Sequence, residues 1–137
     1  MKFRNLNRAY PKDEFPSPNM DLLIDFAVGR AMFSFMDGFS GYNQIHMASD
    51  KIAFRTPIGH FYYMVLPLGL KNEGRTYQRT MMATFHSMMH RELEDYMDDV
   101  VVKSKRQANH MRMLGKVFVW CRLYMLRMNP LNVYLVI

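Results

Sequence analysis

The sequence predicts an α+β fold in which helices cover one face of an antiparallel sheet. Three observations carry this expectation: short apolar runs bounded by Pro and Gly, stretches with apolar residues at helical spacing, and an order that interleaves the two. That order reads helix, strand, hairpin, helix, hairpin, helix, strand.

Residues 7–19 hold Pro11, Pro16 and Pro18 and read as an extended connector. Asn19 is placed to cap a short helix, with Leu22, Leu23 and Phe26 on one face and Gly29 as its stop. Residues 31–36 form a compact apolar run that closes on Asp37, as a buried strand would, and Gly38 and Gly41 break it. Residues 53–56 and 61–65 read as a hairpin around Pro57 and Gly59, punctuated at its end by Pro67 and Gly69. A helix is predicted over residues 76–90, because Tyr77, Met81, Met82, Phe85, Met88 and Met89 recur at its period. Residues 94–103 give two short strands around Met97 and Asp98. Ser104 then caps a last helix, with Met111, Leu114, Val117, Phe118 and Cys121 on its apolar face. Residues 127–137 return to a strand pattern broken by Pro130.

A chain of 137 residues, half of them hydrophobic, suffices for a single modest core. Its 15 methionines predict a looser interior than the length suggests, since Met packs adaptably. No apolar run is long enough for a transmembrane helix, and the first residues lack the apolar stretch of a secretory signal. Cys121 is the single cysteine, so neither an internal disulfide nor a cysteine zinc site is expected, and a reducing, intracellular compartment follows. Lys and Arg number 18 against 12 Asp and Glu, a net charge of +6, which favours nucleic acid as a partner.

Two acidic positions stand out chemically. Asp37 closes an apolar strand, and Asp98 and Asp99 sit together at a tight turn between strand-forming residues. Carboxylates beside apolar strands are costly unless a cation compensates them, and Mg²⁺ takes a few carboxylates plus waters and phosphates. Two such ions about 3.5–4 Å apart would clamp the attacking and leaving oxygens of a phosphoryl transfer. The blander alternative is that Asp simply favours turns and caps.

The strings themselves narrow the choice. Tyr96-Met97-Asp98-Asp99, and Phe35-Met36-Asp37-Gly38 continuing through Tyr42 and Gln44, resemble the two acidic motifs of reverse transcriptases. Ala53-Phe54-Arg55-Thr56-Pro57, Leu66-Pro67-Leu68-Gly69-Leu70-Lys71-Asn72 and Leu126-Arg127-Met128-Asn129-Pro130 resemble further blocks in the same order. The pattern is most similar to the Pol polyproteins of plant gypsy-type LTR retrotransposons and covers nearly the whole chain. The resemblance implies a palm with part of the fingers, over 1–137 as a single partial domain without thumb, connection or ribonuclease H. It implies two Mg²⁺ or Mn²⁺ ions on Asp37 and Asp98, with Asp99 adding charge or a ligand. Tyr42 would lie under the incoming sugar and exclude a ribose 2′-hydroxyl. Leu68, Gly69 and Gln78 would border nucleotide and template, and Met97 the primer end. The implied partners are an RNA or DNA template with its primer and deoxynucleoside triphosphates, with no membrane. The implied reaction is attack of a primer 3′-hydroxyl on the α-phosphate, in the cytoplasm or nucleus.

Four departures from that pattern lead to an expectation of low activity. The chain opens inside the first finger strand, and the stretch before Ala53 is short. Glu73 and Arg75 stand where small residues are usual, and Leu131, Asn132 and Val133 follow Pro130 in place of lysines and a cysteine. A decayed element copy, probed as an isolated chain, would then be weak or inactive. The alternatives are a non-catalytic basic nucleic-acid-binding remnant and a translated pseudogene without a role.

Overall fold

The computed structural model describes residues 3–16, 19–48, 51–96 and 99–137, without the side chains of Met20, Leu22 and Leu23. Helix α1 (Arg4–Ala9) ends at Tyr10, whose extended backbone (φ −76°, ψ 126°) is what the following Pro11 demands. The helix corrects the expectation of a connector from residue 7. Its support is tertiary: Asn7 Nδ2 donates to the Gly69 carbonyl at 2.8 Å, and Asn7 Oδ1 accepts from the Lys71 N–H at 2.9 Å. Helix α2 (Met20–Ala27) starts as expected, with the Asn19 side chain accepting from the Asp21 N–H at 3.0 Å.

The remaining elements are β1 (Met32–Gly38), a short 3-10 turn (Gly41–Gln44), β2 (Ala53–Thr56), β3 (Gly59–Tyr62), α3 (Glu73–Thr84), β4 (Leu93–Tyr96), β5 (Asp99–Ser104), α4 (Gln107–Leu123) and β6 (Met128–Val136). Strands β2 and β3 form a separate hairpin, and the other four make an antiparallel sheet in the order β4-β5-β1-β6. The hairpin's second strand lies earlier than predicted. It ends at Tyr62, and Val65 instead bridges to His46.

Period-two alternation sorts the sheet. Met36, Leu93, Val100 and Val102 point into the core, against Tyr77 and Met81 of α3 and Val117 and Cys121 of α4. Phe33, Phe35 and Asp37 of β1 face the other way, as do Asp99, Val101 and Lys103 of β5. Helix α2 covers one end of this second face, where the Lys103 ammonium lies 3.0 Å from the centroid of the Phe26 ring.

Two helices depart from their predicted limits. Helix α3 begins at Glu73 because that carboxylate accepts the Gly69 and Leu70 N–H groups, and it stops at Thr84 rather than His90. Met88 and Met89 stay buried in the tight turns that follow, which close at His90 with φ 63°. Helix α4 is not capped by Ser104, which is the last residue of β5. Its hydroxyl binds His110 Nδ1 at 3.0 Å, while His110 Nε2 binds the Ser34 hydroxyl at 2.8 Å. The buried face of α4 therefore runs through His110, Val117 and Cys121, leaving Met111 and Phe118 75% and 43% exposed. Among the described residues no helix is long and apolar enough to cross a membrane.

Candidate active site

Asp37 and Asp99 are Cα partners in the β1–β5 register, at the end of the sheet away from α2. Asp98 and Met97, singled out in the sequence, lie outside the described residues. On its other side Asp37 meets a bulge in β6. Met36 pairs with Val133 and Gly38 with Met128, so Asp37 alone faces residues 129–132. The local cause is legible: Pro130 has no N–H to give to a ladder, and Asn129 Oδ1 accepts from the Leu131 N–H at 3.1 Å, closing a turn. Being the outer strand of the sheet, β6 tolerates that proline. The bulge brings Asn132 onto Asp37, its Nδ2 donating to Asp37 Oδ2 at 3.1 Å.

Tyr42, on the 3-10 turn that follows β1, packs its ring 5.2 Å from that of Tyr77 on α3. The Tyr77 ring lies over Gly38 and Gly41. A Cβ on Gly38 would come within 2.7 Å of its hydroxyl, and one on Gly41 within 2.8 Å of the ring carbon Cε2. Glycine is thus required at both positions by close approach. Gln44 ties the end of this turn to the start of β6, because its Oε1 accepts the Arg127 N–H at 2.6 Å and its Nε2 donates to the Arg127 carbonyl at 3.0 Å.

Leu68 is exposed, Gly69 has φ +98°, and Gln78 is half-buried on α3. The loop carrying the first two is clamped to the chain's start by Asn7 and Asn72. The Asn72 Oδ1 accepts the Asp13 N–H at 3.1 Å, and its Nδ2 donates to the Pro11 carbonyl at 2.9 Å. Arg79 Nη2 holds both oxygens of Asp13 at 2.8 Å, with its guanidinium 5.0 Å from the Phe15 ring centroid.

The two described acids at the sheet end, Asp37 and Asp99, offer carboxylate oxygens, donors that suit a hard divalent cation. Asp37 and Asp99 alone do not complete such a set: among the described residues no three His, Cys, Asp or Glu gather to hold an ion. At the far end of the same face, burial and the neighbouring Arg30 lower the Lys103 ammonium to about 8, with Glu94 opposing. Burial also raises the Cys121 thiol to about 11, so this core thiol stays protonated.

Sequence reasoning missed Asn132, Gln44, Tyr77 and His110 as supports. Asn129-Pro130 was a turn signal within reach; the contacts of Gln44 with Arg127, Tyr77 with Gly38 and His110 with Ser34 join residues far apart in the chain and leave no local pattern.

Residues 1–131 match the family described as "Reverse transcriptase (RNA-dependent DNA polymerase)". The chain is 33% identical over 132 residues to the retrovirus-related Pol polyprotein from transposon 412 of Drosophila melanogaster, covering 93% of this chain and 11% of that protein. It is 31% identical over 119 residues to the corresponding polyprotein from transposon 297, covering 85% of this chain and 11% of the relative. The enzymatic polyprotein of cauliflower mosaic virus (strain NY8153) is 29% identical, over 88% of this chain and 18% of its own length. The chain thus spans between about a tenth and a fifth of these relatives. In fold it is similar to the foamy viral protease-reverse transcriptase solved with an RNA/DNA hybrid (TM-score 0.79, 17% identity, covering 98% of this chain and 18% of that one). The foamy viral protease-reverse transcriptase dRH solved with double-stranded DNA gives a TM-score of 0.80 at 17% identity, over 99% of this chain and 24% of the other. On the match over residues 1–131, this chain belongs to the reverse transcriptase family.

Proposed function

We propose that these 137 residues are the palm and part of the fingers of an RNA-directed DNA polymerase from an LTR-retrotransposon Pol polyprotein, of the plant gypsy type that its motif strings resemble most. The observation that carries the reading is the register of Asp37 opposite Asp99 on adjacent strands, at the end of a sheet face that α2 leaves open. In this reading Asp37, Asp98 and Asp99 hold Mg²⁺ or Mn²⁺, which when bound supplies charge neutralisation at the transferred phosphate. The chain's own part is alignment. Asp37 is fixed between β5 and β6, Tyr42 stands beside the sugar, and Leu68, Gly69 and Gln78 border nucleotide and template on a loop clamped by Asn7 and Asn72. Met97 meets the primer end. The basic surface holds the primer–template duplex, of RNA or DNA, and deoxynucleoside triphosphates are the substrates, inside the cell.

The chain by itself is expected to extend primers poorly, because alignment of a triphosphate and a duplex needs surfaces beyond one palm. The test is a chimera in which this segment replaces the matching part of the transposon 412 polyprotein, assayed on a primed RNA template with Mg²⁺ or Mn²⁺. Extension abolished by Asp37→Asn and by Asp98→Asn is the expected result. Extension indifferent to both substitutions would remove the acids from the reaction.

A further inference from the structure

The β6 bulge does more than accommodate a proline. Residues 129–132 stand opposite Asp37 alone, and the turn closed by Asn129 Oδ1 and the Leu131 N–H leaves Asn132 as the residue whose side chain reaches back across the strand gap. It donates Nδ2 to Asp37 Oδ2 at 3.1 Å, between residues 95 positions apart. A carboxylate on an exposed strand end otherwise rotates freely about its last torsion, which is broad and roughly two-fold. A donor on one oxygen selects one orientation and commits the other oxygen, Oδ1. The amide is also neutral.

We propose that Asn132 is a positioning residue for the metal-binding carboxylate: its amide fixes Asp37 Oδ2 and presents Oδ1 beside Asp99. The inference rests on the reading that Asp37 and Asp99 bind a divalent cation. It adds an outer partner to that set, supplied by the outermost strand rather than by the strands that carry the acids.

Mn²⁺ binding to the full 137-residue chain, followed by electron paramagnetic resonance of the free ion at fixed ionic strength, tests both levels separately. The wild-type chain is expected to bind saturably, with Asp37→Asn removing that binding. Asn132→Ala should weaken it about tenfold, the lower end for outer partners of metal ligands. Its melting midpoint should hold, because β6 pairs with β1 through the backbone. Asn132→Gln, which keeps an amide donor, should recover part of the affinity. Asn132→Ala binding as tightly as wild type overturns the inference while leaving the metal reading in place. An affinity that falls only in step with a lower melting midpoint, unrecovered by Asn132→Gln, makes Asn132 a strand residue and also overturns it. A wild-type chain with no binding that depends on Asp37 removes the metal reading, and this inference with it.

Discussion

Asp37 on β1 stands directly opposite Asp99 on β5, a like-charged cross-strand pair next to the apolar pairs of Met36 with Val100 and Phe35 with Val101. Like charges facing each other across a ladder destabilise it. The pair is therefore expected to cost stability that a bound cation returns. Asp37→Asn should raise the melting midpoint of the metal-free chain while abolishing the rise that millimolar Mg²⁺ produces in the wild type. In the polyprotein chimera it should lower primer extension by at least about a hundredfold, as loss of a charge-stabilising group worth several kcal/mol implies. Calorimetry with and without Mg²⁺ reads the first effect. A variant that melts lower than wild type in the absence of metal would contradict it.

Tyr42 is predicted to set sugar selectivity. Tyr42→Val should raise ribonucleotide incorporation relative to deoxynucleotide in the chimera by roughly ten- to a hundredfold, the range a shape-selective pocket reaches. The same change removes the ring contact with Tyr77, at a cost of about 1 kcal/mol in stability beyond the buried area. Tyr42→Phe should keep both properties. An unchanged ratio of the two nucleotides in Tyr42→Val would end the assignment.

His110 gives the fold a pH dependence of defined sign. Burial holds its pKa below the ordinary 6.5, so the unfolded chain takes up a proton near pH 6.5 that the folded chain refuses. Stability should then be level above that pH and fall as pH drops below it. Denaturant melts between pH 5 and 8 should show the slope, and His110→Gln should flatten it. His110→Ala should cost about 3 kcal/mol at neutral pH, since it opens a cavity and strands the Ser34 and Ser104 hydroxyls. A wild-type stability that does not change below pH 6.5 would show that the folded imidazole accepts the proton after all.

Nucleic-acid binding should be salt-sensitive and indifferent to sequence. A net charge of +6 favours contacts to phosphates, and each phosphate neutralised on a duplex steepens the plot of log affinity against log salt by about 0.9. Titration of a labelled primer–template at two salt concentrations measures this. Equal affinity at both would exclude an electrostatic mode.

How far the sequence could be read follows from the range of each interaction. Strand β1, helix α2 and the strands β4 and β5 were legible because short apolar runs and an Asn cap are local signals. The end of α3 was not, since buried Met88 and Met89 keep the helical period through turns that are no longer helix. The face of α4 was read in part, through Val117 and Cys121, but Met111 and Phe118 were misplaced, because a buried histidine bonded to Ser34 and Ser104 carries no apolar signature. Motif strings gave the acids, and the structure supplied the register that sets Asp37 against Asp99. Asn132 reaches Asp37 across 95 positions and Gln44 reaches Arg127 across 83, where no local pattern reports a contact.

The fit of Tyr77 over Gly38 and Gly41 makes one ring the spacer between α3 and the strand that bears Asp37. Its thickness sets how near the helix comes to that strand, and the ring of Tyr42 packs against it at 5.2 Å. Substitutions that add a single methyl at either glycine are therefore expected to displace the Tyr77 ring, lowering stability and moving the Tyr42 ring that packs against it. With the sugar-selecting role proposed for Tyr42, drift at these two small positions would erode fidelity while the acids themselves stayed intact. A survey that scored only the carboxylates would then count as competent a copy whose selectivity had already gone.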